Sequence, residues 1–324
     1  MSATPHCIPA DDVRAAAGRI AGEVRRTPVV ASDAISGLAG RPVVAKCESM
    51  QRTGSFKIRG ATNAVRSLGD AEARRGVVTH SSGNHALALA TAARARGIPA
   101  HVVMPVDASE VKRRAVIAAG ATVHGCGPTS AERIAACDAV ARETGATLVP
   151  PYDHPFVIAG QGTVGLEIAE QAPEAATVVV PVGGGGLIGG IAIALRALRP
   201  GIRIVGAEPA LADDAAESRR TGRIAPQRPP VSIADGLRAP LGSLTFPLVR
   251  DLVDDIIVVD EEAIVSAMRF AFEQAALVIE PSAAVGIAAL ASGRCGGDAA
   301  RPALVVLCGA NVDLSRLPWM TRRA

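Results

Sequence analysis

Aromatic side chains are scarce: phenylalanine, tryptophan and tyrosine together make up 2% of the 324 residues. So few flat rings offer no stacking platform for nucleic-acid bases. An excess of either charge is missing too. The 34 basic and 31 acidic residues leave a net +3, spread along the chain with no nucleic-acid stripe and no polybasic membrane anchor. Six cysteines, at 7, 47, 126, 137, 295 and 308, include no C-x-x-C pair and no zinc-like spacing. They read as buried or incidental thiols in a reducing compartment. The N-terminus carries Asp11 and Asp12 and lacks an apolar h-region, so no signal peptide is expected. One uncharged run, Ala175 to Leu195, is long enough to raise the question of a membrane span. Pro181 and six glycines within it suit a strand, a loop and a buried helix instead. The expectation is a cytoplasmic protein with neither nucleic acid nor membrane as partner.

What the chain does have is core. With 49% hydrophobic residues it can build one large or two ordinary domains. Apolar β-type runs begin at 76, 100, 121 and 147 (GVVTH, AHVVM, ATVHG, TLVP) and alternate with Ala-rich helical stretches. That rhythm predicts β-α-β crossovers and a compact four-stranded parallel sheet over residues 76–150. The pattern resumes with TVVVPV (177–182), a helix through Leu198, IRIVGAE (202–208), DIIVV (255–259) and ALVVLC (303–308). Pro226, Pro229 and Pro230 mark a surface excursion, because both flanks are core-like. The expected architecture is α/β and two-lobed: residues 1–75 and 151–324 form the large lobe, and 76–150 a small inserted one. Ligands in such a design bind between lobes, beyond the carboxyl ends of the strands.

Three constellations carry chemistry. PVGGGGLIGG (181–190) follows a strand and opens a helix. Glycines let backbone N–H groups converge on an anion, and the helix start adds partial positive charge, so phosphate binding is the physical reading. Gly184, Gly186 and Gly189 also satisfy G-x-G-x-x-G, with Glu208 ending the next strand where a ribose-binding acid would stand. A dinucleotide dehydrogenase is therefore a rival. A Walker loop is excluded, because no Lys-Ser/Thr follows the last glycine.

Lysine supplies the second constellation by its rarity. The chain holds only Lys46, Lys57 and Lys112. Lys112 sits in a charged helix and reads as surface. Lys46, in the strand RPVVAKCE, reads as an edge or salt-bridge residue. Lys57 lies in TGSFKIRGA, beside Phe56 and between Gly54 and Gly60, where the glycines suggest close backbone approach. A lysine kept in an arginine-rich chain suggests imine chemistry, which guanidinium cannot do. The third constellation is the turn HSSGNHA (80–86), where Ser81, Ser82 and Asn84 can present hydroxyls, an amide and N–H groups to a carboxylate. Ordinary helix capping is the competing reading, and His85 has no visible partner.

SFKIRGA, SSGNHA, PVGGGGL, SIADG (232–236), IEPSA (279–283) and LCGANVD (307–313) together resemble the serine/threonine dehydratase and serine racemase family of fold-type-II pyridoxal-phosphate enzymes. The resemblance runs from about residue 10 to residue 320. It implies a tryptophan-synthase-β-like fold, with parallel sheets covered by helices, and a homodimer acting on a small 3-hydroxy amino acid. Lys57 would hold pyridoxal 5'-phosphate as the internal aldimine and remove the α-proton. Phe56 would pack on the pyridine face, Asn84 would bond the phenolic oxygen, and Gly183, Gly184, Gly185, Gly186 and Leu187 would cradle the phosphate. Cys308 would face the pyridine nitrogen. The resemblance places substrate contacts at Ser81, Ser82, Asn84, His85 and Arg133. It places Ser82 as a second acid/base opposite Lys57, and a Mg²⁺ or Ca²⁺ site at Glu208, the carbonyl of Ala212, and Asp214. The expected activity is L-serine or L-threonine ammonia-lyase, giving a 2-keto acid and ammonia. Serine racemase, with or without that lyase activity, and 3-hydroxyaspartate dehydratase are the alternatives.

Overall fold

The computed structural model describes residues 8–320 apart from 82, 107, 109 and 227–230. Ser82, Pro229 and Pro230 thus lie outside the described residues. Two sheets organise the chain. The first contains β1 (Val29–Ala31), β2 (Val43–Lys46), β7 (Thr177–Pro181), β8 (Arg203–Pro209), β9 (Asp255–Val259) and β10 (Ala303–Val306), in the order β1-β2-β10-β7-β8-β9. The second contains β3 (Val77–His80), β4 (Ala100–Pro105), β5 (Thr122–Cys126) and β6 (Thr147–Leu148), in the order β5-β4-β3-β6. Every pairing is parallel except β1 with β2. Strands of the smaller sheet all fall within 77–148, inside the segment set apart by its sequence rhythm.

Parallel strands need crossovers that cover the sheet, so central strands become apolar on both faces. All residues of β7 and β10 are buried, as are the six that follow Arg203 in β8. The glycine-rich segment that raised the membrane question resolves into β7 and the helix Gly186–Leu198. No described helix is long and apolar enough to cross a membrane.

Small residues let the helices behind the cleft pack closely. A Cβ on Gly160, in the helix Pro155–Gln171, would lie 2.6 Å from the Cα of Gly60. Gly60 belongs to the helix Lys57–Ser67, so this approach fixes the depth of the Lys57 helix. A buried ion cluster fixes its start. Arg59 donates to both oxygens of Glu48 (2.8 and 2.7 Å) and to Glu167 (2.7 Å). Arg59 and Glu48 are fully enclosed, and forked pairing of this kind is what makes a buried charge tolerable. Lys46 joins the cluster through Glu167. It is the salt-bridge residue expected, but on an interior strand, since β2 lies between β1 and β10.

The last strand is shorter than its apolar run. β10 ends at Val306 because the chain then leaves its ladder to meet the TGSFK segment. The N–H of Phe56 donates to the Cys308 carbonyl at 3.1 Å, and Ser55 bridges Gly309. The departure brings residues 308–311 against the segment that precedes Lys57.

Candidate active site

The expected groups gather at the carboxyl ends of parallel strands: Gly183–Leu187 after β7, Cys308 after β10, Ser81 and Asn84 after β3. In open α/β sheets this is where ligands sit. Lys57 opens its helix, and its Nζ donates to the carbonyl of Pro151 at 2.6 Å. The same nitrogen stands 5.1 Å from the centroid of the Phe56 ring. Burial brings the Lys57 ammonium down from its ordinary range to about 8, with the electrostatic interactions toward Cys308 and Glu280 opposing the drop. An amine so placed is neutral often enough near neutral pH to act as a nucleophile.

The glycine loop after β7 is shaped by close packing. Gly185 holds φ +81°, a left-handed conformation that L side chains rarely adopt. It precedes the helix at Gly186, whose first N–H groups have no intrahelical acceptor. A Cβ on Gly184 would lie 2.4 Å from the ring of Tyr152, and one on Gly183 would lie 2.8 Å from Leu237 Cα. The loop therefore tolerates no side chain at either position, and Leu187 behind it is buried.

Cys308 is buried, and desolvation pushes its thiol well above the usual range, with Glu280 adding to the effect. It stays a neutral S–H. Asn84 opens the helix Asn84–Arg96, its amide nitrogen donating to both oxygens of Glu280 at 2.9 and 3.0 Å. The Ser81 hydroxyl accepts the Gly83 N–H at 3.4 Å. His85 turns away from the turn. Its Nε2 meets the Val149 carbonyl at 3.0 Å, which requires the proton on that nitrogen. Burial, reinforced by the charge of Lys57, lowers its pKa to about 3. It is a neutral strut between the turn and the end of β6. Arg133 lies in the helix Ser130–Thr144, near enough to His80 to depress that imidazole after burial has done so. It is thus beside the Ser81 end of β3.

Glu208, at the end of β8, is fully buried, and its two oxygens accept the N–H groups of Ala215 and Ala216 at 2.9 and 2.8 Å. Desolvation pushes its carboxyl well above the usual range; the backbone bonds oppose this, and Asp214 and Asp213 add to it. A carboxylate used this way caps a helix start instead of waiting for a ribose, which removes the dinucleotide reading of G-x-G-x-x-G. Among the described residues, no group of three or more His, Cys, Asp or Glu side chains is arranged to hold a metal. The expected set, two carboxylates and a carbonyl, is of a different kind.

Several site residues were not singled out by the sequence. Tyr152 is the chain's one tyrosine; its ring backs Gly184, and its Cβ and backbone back Gly186. Its rarity was an available signal. Asp153 accepts the N–H groups of Ser243, Leu244 and Thr245 (3.0, 2.9 and 3.1 Å), which fixes the strap 151–153 to the large lobe. Glu280 stands before Pro281 at a helix start and reads in sequence as a plain cap. Asn311 donates to the Asn84 amide oxygen and to the Thr53 carbonyl, both at 2.8 Å.

A buried lysine of lowered pKa, a glycine loop at a helix start and a neutral thiol thus stand at the strand ends of a two-lobed, parallel α/β fold. The chain belongs to the pyridoxal-phosphate dependent enzyme family, which matches residues 20–309. A serine racemase of Oryza sativa subsp. indica is 47% identical over 309 residues, covering 94% of this chain and 91% of that one. A beta-hydroxyaspartate dehydratase of Paracoccus denitrificans is 43% identical over 309 residues, covering 95% and 98%. The solved structure of maize serine racemase superposes with a TM-score of 0.93 at 45% identity, covering 96% of this chain and 95% of that one.

Proposed function

We propose that this chain is a serine racemase that also eliminates water from L-serine to give pyruvate and ammonia. The observation that carries it is near-full-length similarity to serine racemases, with the Lys57 site intact. The order expected from sequence, ammonia-lyase first and racemase second, is therefore reversed. When bound, pyridoxal phosphate supplies the electron sink that acidifies the α-carbon of an amino acid. The residues fit it. Lys57 is buried beside Cys308 and Glu280, and Gly183 and Gly184 lie too close to Leu237 and Tyr152 to carry side chains, which leaves the loop's backbone N–H groups as its binding groups.

Within that reading, Gly183–Leu187 bind the phosphate through backbone N–H groups, and Phe56 packs beside the ring. The neutral Cys308 thiol offers the ring nitrogen a partner that does not force a proton onto it. Lys57, with its ammonium near 8, takes and returns a proton on one face of the α-carbon. Ser82 is assigned the other face, since inversion needs an acid and a base on opposite sides. Ser81, Asn84 and the turn's N–H groups hold the substrate carboxylate.

A second reading, a 3-hydroxyaspartate dehydratase, is favoured by the 43% identity to a beta-hydroxyaspartate dehydratase, with Arg133, whose charge reaches His80, as the candidate partner for a second carboxylate. L-serine, L-threonine and threo-3-hydroxyaspartate, assayed together for D-amino acid and keto acid, separate the readings. D-serine formation from L-serine supports the racemase. Turnover confined to hydroxyaspartate contradicts it. Ser82→Ala abolishes D-serine formation and spares much of the pyruvate; equal loss of both contradicts the two-base assignment.

We also assign a Mg²⁺ or Ca²⁺ to Glu208, the Ala212 carbonyl and Asp214, because a hard cation would relieve a buried carboxylate that Asp214 and Asp213 repel. Chelation then lowers the melting temperature, and an unchanged melt after exhaustive chelation removes the assignment. Phe272, Val278 and Leu314, exposed together beside Trp319, are proposed as part of a homodimer interface. Phe272→Asp should shift the mass by light scattering toward the monomer.

A further inference from the structure

The SSGNHA and LCGANVD motifs, and through them the TGSFK segment, reach one side chain, the buried carboxylate of Glu280. It is the N-cap residue of the helix Pro281–Ala291, and only 4% of its surface is exposed. Asn84 of the smaller lobe donates to both of its oxygens, and the Asn311 N–H donates to one of them at 3.2 Å. Gly309 has no Cβ where one would stand 2.7 Å from the same carboxylate. The TGSFK segment joins through the Thr53 carbonyl, which accepts from the Asn311 amide.

This chain of bonds settles how the Asn84 amide is turned. The Thr53 carbonyl can only accept, so Asn311 must face it with nitrogen. The second N–H of that nitrogen then meets the Asn84 oxygen. Asn84 is left with its nitrogen toward Glu280, which when charged is acceptor only. The two N–H bonds of one amide diverge too widely for both to reach a single carboxylate. One is therefore shared between the Glu280 oxygens, and the other is free to point into the cleft.

We infer that Glu280 is a positioning residue that acts on the cofactor through Asn84, its charged carboxylate holding the amide nitrogen toward the cleft. A proton on Glu280 undoes this arrangement. The new O–H needs an acceptor, while both partners, Asn84 Nδ2 and the Asn311 N–H, are donors. Asn84 satisfies it only by turning its oxygen to Glu280, which breaks its bond from Asn311. The switch is set near neutral pH. Burial pushes the Glu280 carboxyl up to about 7; the Asn84 bond, the Lys112 charge and the Asn311 bond pull it down, and Asp235 raises it further. Lys57 and Cys308, which face it across the cleft, also feel its charge. The inference rests on the reading that Asn84 faces the cofactor.

The test uses the holoenzyme and its apo form. The absorbance of bound cofactor, followed across neutral pH, is expected to show a transition with its midpoint near 7 in the native protein. Glu280→Gln removes that transition, and Glu280→Asp, which keeps the charge on a shorter arm, displaces it. The apo protein gives a readout without cofactor. A carboxyl raised in the fold contributes stability that is full below its unfolded pKa and is lost as pH rises through about 7. The native melting temperature should decline through that window, and the Gln variant should not share the decline. A native midpoint retained in Glu280→Gln overturns the inference. An unmoved midpoint in Glu280→Asp does so even if the Gln variant fails to fold. A native protein that takes up no cofactor would instead overturn the reading of the site itself.

Discussion

The two sheets hold their halves of the site in different ways. β7, β8 and β10 are enclosed in the large apolar cluster that also contains Leu187 and Cys308, so the groups assigned to the phosphate and the ring nitrogen stand on packed core. The smaller sheet is thinner: in β5, Thr122 and Gly125 are exposed, and β6 has two residues. Its helix Asn84–Arg96 shares an apolar cluster with the Lys57 helix through Ile58, Ala61, Ala64 and Val65, and polar contacts tie the edge of the cleft to the other half. Asn84 reaches Glu280 and Asn311, and Lys112 reaches Asp235 at 2.5 Å. Apolar packing fixes positions stiffly, whereas a few hydrogen bonds and one half-exposed ion pair can be exchanged at small cost. Packed core holds both halves, and the polar contacts at the edge of the cleft are where the site can adjust.

The largest effect lies where the halves meet. Lys57→Ala should lower kcat/KM for every product by about a thousandfold or more, the scale of removing a proton-transferring nucleophile. Steady-state kinetics on L-serine check it, and a loss of less than tenfold would move the chemistry elsewhere. In the packed core, Gly184→Ala drives a methyl into the Tyr152 ring. Overpacking of about 1–3 kcal/mol should lower the melting temperature of the apo form by a few degrees and, by displacing the loop, weaken cofactor binding as read by absorbance titration.

A third comparison uses pH. Capture of free cofactor by apo protein needs the neutral amine, and the Lys57 pKa is lowered to about 8. The capture rate should rise with pH up to about 8 and level off there. An ordinary lysine would keep gaining rate well beyond that point. The smallest effect belongs to the adjustable edge. Lys112 and Asp235 are both more than a third exposed, so Lys112→Ala should cost less than about 1 kcal/mol. It should change KM about twofold with kcat nearly unmoved. A collapse of kcat would mean that this ion pair is rigid.

The same division governs what could be read from the sequence. Lys57 stood out because lysine is rare, and the glycine loop because its spacing has a backbone reason. β7, β9 and the helix through Leu198 follow from apolar runs and their punctuation. β10 ended two residues early because its pairing with the TGSFK segment is long-range and no local pattern announces it. Glu280 was hidden for a similar reason. Before a proline at a helix start it looks like any cap, and its partner Asn84 is 196 residues away. His85 looked unpartnered because its acceptor is a backbone carbonyl, invisible to residue type. Lys112 looked like plain surface because its partner comes from the other lobe.

The central claim is that Lys57 carries the cofactor. Borohydride reduction of the coloured protein, followed by peptide mapping, tests it directly, since the chain has only three lysines to choose from. The account predicts that the band bleaches and the reduced cofactor is found on the peptide containing Lys57. Label on Lys46 or Lys112, or a protein with no band to bleach, would contradict it.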